Sequence, residues 1–229
     1  MSITRRIALA GVSLALIAGA PTAALAAGTT VSVRVEGLTK TLVATKVVHT
    51  HSGSITKGGT PAGSCSATTA AGALDVATKH HWSGSYGTYG LSVTQVFGET
   101  HSLSPSSKDY WSIWVDNKFA PAGVCGLKLH RGEQLLFAAV PVTGKVYPIV
   151  IAAPKHASTG HAFKVKVTYF NAKGVAKPLA GATVHNGART ATTGASGTVT
   201  ITPQHTGKLT YTADKTGYIR SAAATVSVG

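Results

Sequence analysis

The segment TTVSVRVEG, from Thr29 to Gly37, alternates strictly: Val31, Val33 and Val35 fall on one side of an extended chain, and Ser32, Arg34 and Glu36 on the other. A period of two separates an apolar from a polar face only in a strand, so this segment predicts a half-buried β-strand. The same period returns in HAFKVKVTYF, where Phe163, Val165, Val167 and Tyr169 alternate with Lys164, Lys166 and Thr168, and again in GTVTITP, KLTYTAD and AATVSVG. Turn-forming Gly, Asn, Asp and Pro separate these runs. A chain patterned in this way folds chiefly as sheet.

One segment departs from that pattern. SATTAAGALDVATKH places Ala67, Ala70, Ala71, Leu74 and Ala77 at helical spacing, with Ser64 or Ser66 available as N-cap. Gly72 inside it costs about 1 kcal/mol relative to Ala, which predicts close packing at that point. Around this helix, KTLVATKVV reads as the hairpin partner of the first strand, HTHSGSITKGGTPAGS as a long loop, HHWSGSYGT as a polar connection, YGLSVTQVFGE as a strand and LKLHRGEQLLFAAVP as the last buried strand. The expected fold is mainly β: an α+β β-grasp-like domain with one helix over residues 28–142, then an antiparallel β-sandwich over 143–229.

The first 27 residues read as a signal peptide. Arg5 and Arg6 precede an apolar run from Ile7 to Ala20, Pro21 breaks it, and Ala24-Leu25-Ala26 supplies the small-x-small cleavage pattern. The run is short for a hydrocarbon core of about 30 Å, so a membrane anchor is disfavoured. TRRIAL partly matches a twin-arginine signal but lacks its usual aromatic, and Sec export is the better reading. The expected location is outside the cell, with no transmembrane segment after cleavage. VPVTG at Val140 to Gly144 resembles a sortase pentapeptide with Val for Leu, but a polar domain follows it, which argues against covalent wall attachment.

Export also frames the two cysteines. An even count in an exported chain argues for a disulfide between Cys65 and Cys125 rather than a thiol nucleophile. Charge is segregated: residues 28–143 hold nine Lys/Arg against six Asp/Glu, and residues 144–229 hold ten against the single Asp214. Fixed positive charge outside the cell attracts polyanions, so teichoic acids, acidic glycans and other anionic wall polymers are the expected partners of the second domain. A basic, merely soluble surface is the alternative. Nucleic acid is not expected as a partner after export.

YWSIWVDNKFAPAGVCGLKLHRGEQLLF resembles the transcobalamin-like C-terminal domain family, a β-grasp-like module of secreted bacterial proteins. The resemblance rests on Tyr110-Trp111, a turn at Asp116-Asn117, Gly123, and Gly132-Glu133 before Leu135. It extends upstream through CSATTAAGALDVAT, HHWSG and VFGE, covering residues 29 to 141. In the bacterial branch a cysteine at the helix start pairs with one in the hairpin region, which implies the same Cys65–Cys125 bond. Cobalamin binding is not implied, because the carriers supply half the ligand site from a large helical domain with no counterpart here. AGATV, TTGASGTVT and ADKTGYIRS are similar to bacterial Ig-like and carboxypeptidase-regulatory-like sandwich repeats, which serve as spacers or stalks.

No enzyme constellation is evident: G-x-S-x-G, H-E-x-x-H, C-x-x-C and phosphate-cradling loops are all missing from the sequence, and no cofactor is expected. His49 and His51 would lie on one side of an extended segment, as two ligands to zinc or copper would require. Strand parity sorts the aromatic residues. Trp111 joins Ile113 and Val115 on an apolar face that points to the core, whereas Tyr110 and Trp114 share a mixed face. Tyr110 and Trp114 are therefore candidate contacts for a small-molecule ligand, with Trp82 of the polar connection as a third, and a sugar, cobalamin or haem are the alternatives. The function expected is that of a secreted, non-enzymatic binding protein; the alternative is a structural or adhesive surface protein without a small ligand.

Overall fold

The structure is a computed structural model, and it describes residues 28–229. The expected signal peptide lies outside the described residues. The chain is mainly β, with a five-stranded sheet packed on one helix in the first half and a sandwich in the second half. No helix among the described residues is long and apolar enough to cross a membrane.

The first half contains β1 (Thr30–Glu36), β2 (Thr41–His49), α1 (Ala70–Thr78), β3 (Trp82–Gly87), β4 (Gly90–Val96), β5 (Glu99–Thr100), β6 (Asp109–Val115), β7 (Lys118–Phe119) and β8 (Gln134–Pro141). Its main sheet has the order β2-β1-β8-β6-β7. The central pair β1 and β8 is parallel, and the hairpins on either side are antiparallel. The alternation read from the sequence holds, but the strand is buried on both faces rather than half-buried, because Arg34 and Glu36 are covered too: Val31, Val33 and Val35 pack with Phe137, Leu135, Trp111 and Ile113 against Ala70, Ala71, Ala73, Leu74 and Ala77 of the helix. Asp116 and Asn117 make the β6–β7 turn with φ of 47° and 63°. That is the left-handed geometry a two-residue hairpin turn needs and these residue types tolerate.

Helix α1 begins later than its apolar spacing suggests. Neither Ser64 nor Ser66 is the N-cap; Thr69 occupies that position and makes no side-chain capping bond. The preceding residues are drawn into sheet-like bridges, Ser54 with Ser66 and Thr69 with Lys128. The free N–H groups of the first turn are satisfied by another loop instead: Ala70 donates to the Leu127 carbonyl at 3.0 Å and Ala71 to that of Val124 at 3.3 Å. Cys125 lies in this loop and is bonded to Cys65. The strand after the turn is only Lys118–Phe119 and ends before Pro121, so Cys125 lies beyond the hairpin itself. Closing a loop with a sequence separation of 60 contributes roughly 4 kcal/mol on the chain-entropy account.

A second correction concerns HHWSGSYGT. It is not a connection: its residues from Trp82 form β3, which pairs with β4, and β5 completes a three-stranded antiparallel sheet. Gly and Ser hide this strand from a pattern search, yet Gly84 is required there. A Cβ at Gly84 would stand 2.8 Å from both a Leu91 methyl and the Ser92 carbonyl oxygen.

The second half contains β9 (Tyr147–Ala152), β10 (His156–Ala157), β11 (Phe163–Phe170), β12 (Ala176–Pro178), β13 (Thr183–Asn186), β14 (Arg189–Thr192), β15 (Thr198–Ile201), β16 (Gly207–Asp214), β17 (Tyr218–Ile219) and β18 (Ala224–Val228). One sheet runs β10-β18-β16-β13-β14; the other runs β12-β11-β9-β17, with β15 also on β11. Between them lie Ile149, Val165, Val167, Val184, Tyr211, Ala213 and Val226. Two short pairs, β10 with β18 and β9 with β17, are parallel within this mainly antiparallel sandwich.

Gly72 provides a test of the packing. A Cβ there would stand 1.7 Å from the Ala67 carbonyl oxygen, a backbone atom with little freedom to retreat. Helix propensity alone favours Gly72→Ala by about 1 kcal/mol. The substitution is expected instead to destabilise by about 2 kcal/mol or more, measured by urea unfolding.

Candidate functional site: the groove between the two halves

The face of the main sheet turned away from the helix carries Arg34, Glu36, Ser112, Trp114, Leu136, Ala138 and Val140. It does not face solvent. Trp114, Leu136, Ala138 and Val140 pack against Ile219, with Tyr110, Val146 and Tyr147 around them. This apolar contact joins the first half to the β9 and β17 edge of the second.

Beside it lies a buried charge cluster. The Glu36 carboxylate accepts from Arg34 Nη1 at 2.8 Å, from Arg220 Nη2 at 2.9 Å and Nε at 3.1 Å, and from the Thr41 hydroxyl. Arg34 also donates to the Arg220 carbonyl at 2.6 Å, while Arg220 donates to the Gly37 carbonyl at 2.8 Å and that of Leu38 at 3.2 Å. Burial lowers the Arg34 guanidinium from its usual range, and the Glu36 carboxylate opposes that shift. A buried carboxylate is tolerated only when its lone pairs are met, and here two guanidinium groups and a hydroxyl meet them.

Where the two halves part, a groove of about 300 Å³ opens, lined among others by Tyr110, Trp114, Phe119, Pro121, Lys145 and Tyr147. Phe119 stands edge-on to Trp114, with ring centroids 5.4 Å apart. Tyr147 continues the aromatic wall through Tyr169, at 5.9 Å, to Tyr218, at 5.3 Å from Tyr169. The Tyr110 phenol is raised by burial. Lys145 is exposed, and no carboxylate lines the groove. Such a surface can receive the apolar face of a flat ring, with a cation at its edge for an anionic substituent.

Tyr110 and Trp114 thus share one groove, but in different roles. Trp114 is only 4% exposed, because the second half covers the face that parity had left open. Its indole N–H donates to Ser112 Oγ at 3.0 Å, and Ser112 donates in turn to the Ala138 carbonyl at 2.8 Å. Trp82 does not join the groove. Its ring lies in the first core, its N–H donates to Asp75 Oδ1 at 2.8 Å, and the Lys57 ammonium stands 5.3 Å from the ring centre. His49 and His51 are exposed on either side of the buried Thr50. His49 Nδ1 meets the Thr30 hydroxyl at 2.9 Å and His51 Nδ1 the Ser52 carbonyl at 2.8 Å. Among the described residues no group of three or more His, Cys, Asp or Glu is placed to hold a metal ion.

His101 is buried with both ring nitrogens engaged, Nε2 by Glu99 at 2.9 Å and Nδ1 by Asp109. Neither nitrogen is free to take a proton from a substrate. Phe119 was legible in principle, since a two-residue turn at Asp116-Asn117 sets Trp114 opposite Phe119. Tyr147 and Lys145 were not, because they follow the compositional break and nothing local ties them to β6.

No protein-family model matches the chain, and a search of curated proteins finds no similar sequence.

The charge cluster is open to a direct test. Glu36→Gln would leave two arginines facing each other without a counter-charge, and is expected to cost about 3 kcal/mol in urea unfolding. The emission of Trp114 should shift to the red as the second half loosens from it. A cost below about 0.5 kcal/mol, the size expected of an ordinary surface change, would show that the cluster does not join the halves.

Proposed function

We propose that this is an exported, non-enzymatic binding protein whose basic second half associates with anionic wall polymers or glycans. One observation carries the reading. Of the ten Lys and Arg between residues 144 and 229, Lys145, Lys155, Lys164, Lys166, Lys173, Lys177, Arg189 and Lys208 are exposed, and none of these pairs with a carboxylate among the described residues. Unpaired surface cations attract a polyanion at long range and release it as salt rises.

The groove supplies the recognising element of this reading. At about 300 Å³ it stands at the small end of ligand sites and suits one sugar-sized ring better than a corrin or porphyrin. The resemblance to transcobalamin-like and Ig-like modules supports surface location and leaves the ligand unnamed. A second reading, a structural or adhesive protein with no small ligand, is favoured by the burial of Trp114 and Trp82, whose rings serve packing.

The two readings differ in what tryptophan emission reports. Titration of the processed chain with acidic and neutral wall glycans is expected to perturb Trp114 in a saturable way, and no change with any of them would favour the structural reading. Retention on an anionic polymer matrix is expected to fall steeply between 0.15 M and 1 M salt, as the Debye length shrinks from about 8 Å to about 3 Å. Retention that is indifferent to salt would exclude charge as the holding force.

A further inference from the structure

The sandwich opens where its two sheets end on the same side. Strand β14 closes one sheet and pairs only with β13, while β15 hangs on the edge of the other and pairs only with β11. No ladder joins β14 to β15. The gap between them, floored by Ile201, Leu209 and Tyr211, is a cavity of about 470 Å³, larger than the groove between the halves.

Its rim is polar and carries no acid. Asn186, Arg189 and His205 line it with several threonines, and neither Asp nor Glu is present. The turn at Gly187-Ala188 sets Asn186 directly across from Arg189. Three groups meet there: burial raises the Tyr211 phenol, and the neighbouring Asn186 amide and Arg189 guanidinium act in the opposite direction. Asn186 Nδ2 is buried beside the Tyr211 phenol and makes no hydrogen bond of ordinary geometry within the protein. Arg189 is exposed and free of any carboxylate among the described residues. An apolar floor, an amide donor that is only weakly engaged and an unpaired guanidinium ask for a ligand with a hydrocarbon face, hydroxyl oxygens and one negative charge.

We infer that this cavity binds a single anionic sugar or polyol unit, with Arg189 taking the carboxylate or phosphate and Asn186 a neighbouring oxygen. The inference rests on the proposed attraction to anionic polymers and gives it a specific seat: the other exposed lysines attract the polymer, and this cavity reads one unit of it. Carboxylate and phosphate share the chemistry Arg189 recognises, so an oligogalacturonate and a poly(glycerol phosphate) serve as the two anionic probes, and a maltooligosaccharide as the neutral one.

Amide shifts of the isotope-labelled processed chain are the readout, because the second half holds no tryptophan. Saturable shifts centred on Asn186, Arg189 and Tyr211 are expected with at least one anionic probe; which probe produces them identifies carboxylate or phosphate. Arg189→Gln, an exposed edge change, should weaken that binding at least tenfold, and Lys155→Gln, beside the opposite edge of the same sheet and outside the cavity lining, less than twofold. Equal losses in the two variants, equal binding of the neutral probe, or no saturable shift with either anionic probe would overturn the inference. Retention of the same chain on the anionic matrix reports the general attraction separately. Seven exposed cations remain in Arg189→Gln, so the cavity can fail while retention stands, and retention can fail while the cavity binds.

Discussion

The arrangement of the two halves depends on how one carboxylate is neutralised. Glu36 sits on the first strand with 1% of its surface exposed, where an unpaired charge would be intolerable. Arg34, two residues before it on the same face, is one partner, and Arg220, near the far end of the chain, is the other. Since Arg220 also bonds the Gly37 and Leu38 carbonyls, the second half is held by the turn between the first two strands as well as by the charge. The apolar contact of Trp114 and Ile219 then fixes the angle from which the β9 and β17 edge approaches. The groove is what remains at the margin of that contact. Its shape follows from the joint, so a change at Glu36 would alter a surface it does not line.

The first half relies on closeness rather than bulk. Its helix is nine residues long and buries small residues, Ala and Gly, with one Leu and the polar Asp75 and Thr78, which lets it lie near the sheet but gives it little apolar area of its own. Its first turn is completed by carbonyls from residues 124 and 127, and the Cys65–Cys125 bond holds that loop in place. Gly72 and Gly123 belong to the same device: each lies where a carbonyl oxygen would collide with a Cβ.

The strand pattern was legible because a period of two is a strong local signal. It placed Val31, Val33, Val35, Trp111, Val165 and Val167 correctly in the cores. The Asp116-Asn117 turn was legible because residue chemistry sets backbone sign there. What local pattern could not give was the identity of the neighbour across a polar face. Parity put Trp114 and Glu36 on the side away from the helix, yet nothing near them in sequence announces Ile219 or Arg220. Trp82 looked available because its flanking residues are polar, while the Asp75 acceptor that draws its ring inward comes from the helix. The start of that helix was misplaced for a similar reason: spacing marks a helical face, but the bridges to Ser54 and Lys128 that hold the chain extended are made by distant segments.

The capping of α1 by residues 124 and 127 bears on the order in which the molecule assembles. A nine-residue helix without a side-chain cap lies below the length at which helices persist alone in water. It must therefore wait for the loop that completes its first turn, just as β1 must wait for its parallel neighbour β8, about a hundred residues downstream. Contacts so distant in sequence make for slow folding and leave the Val-rich first strand with an open edge in the meantime. The interval between emergence of the N-terminal strand and arrival of residue 140 is thus the period of greatest exposure to aggregation, and the one in which a chaperone would have most to protect.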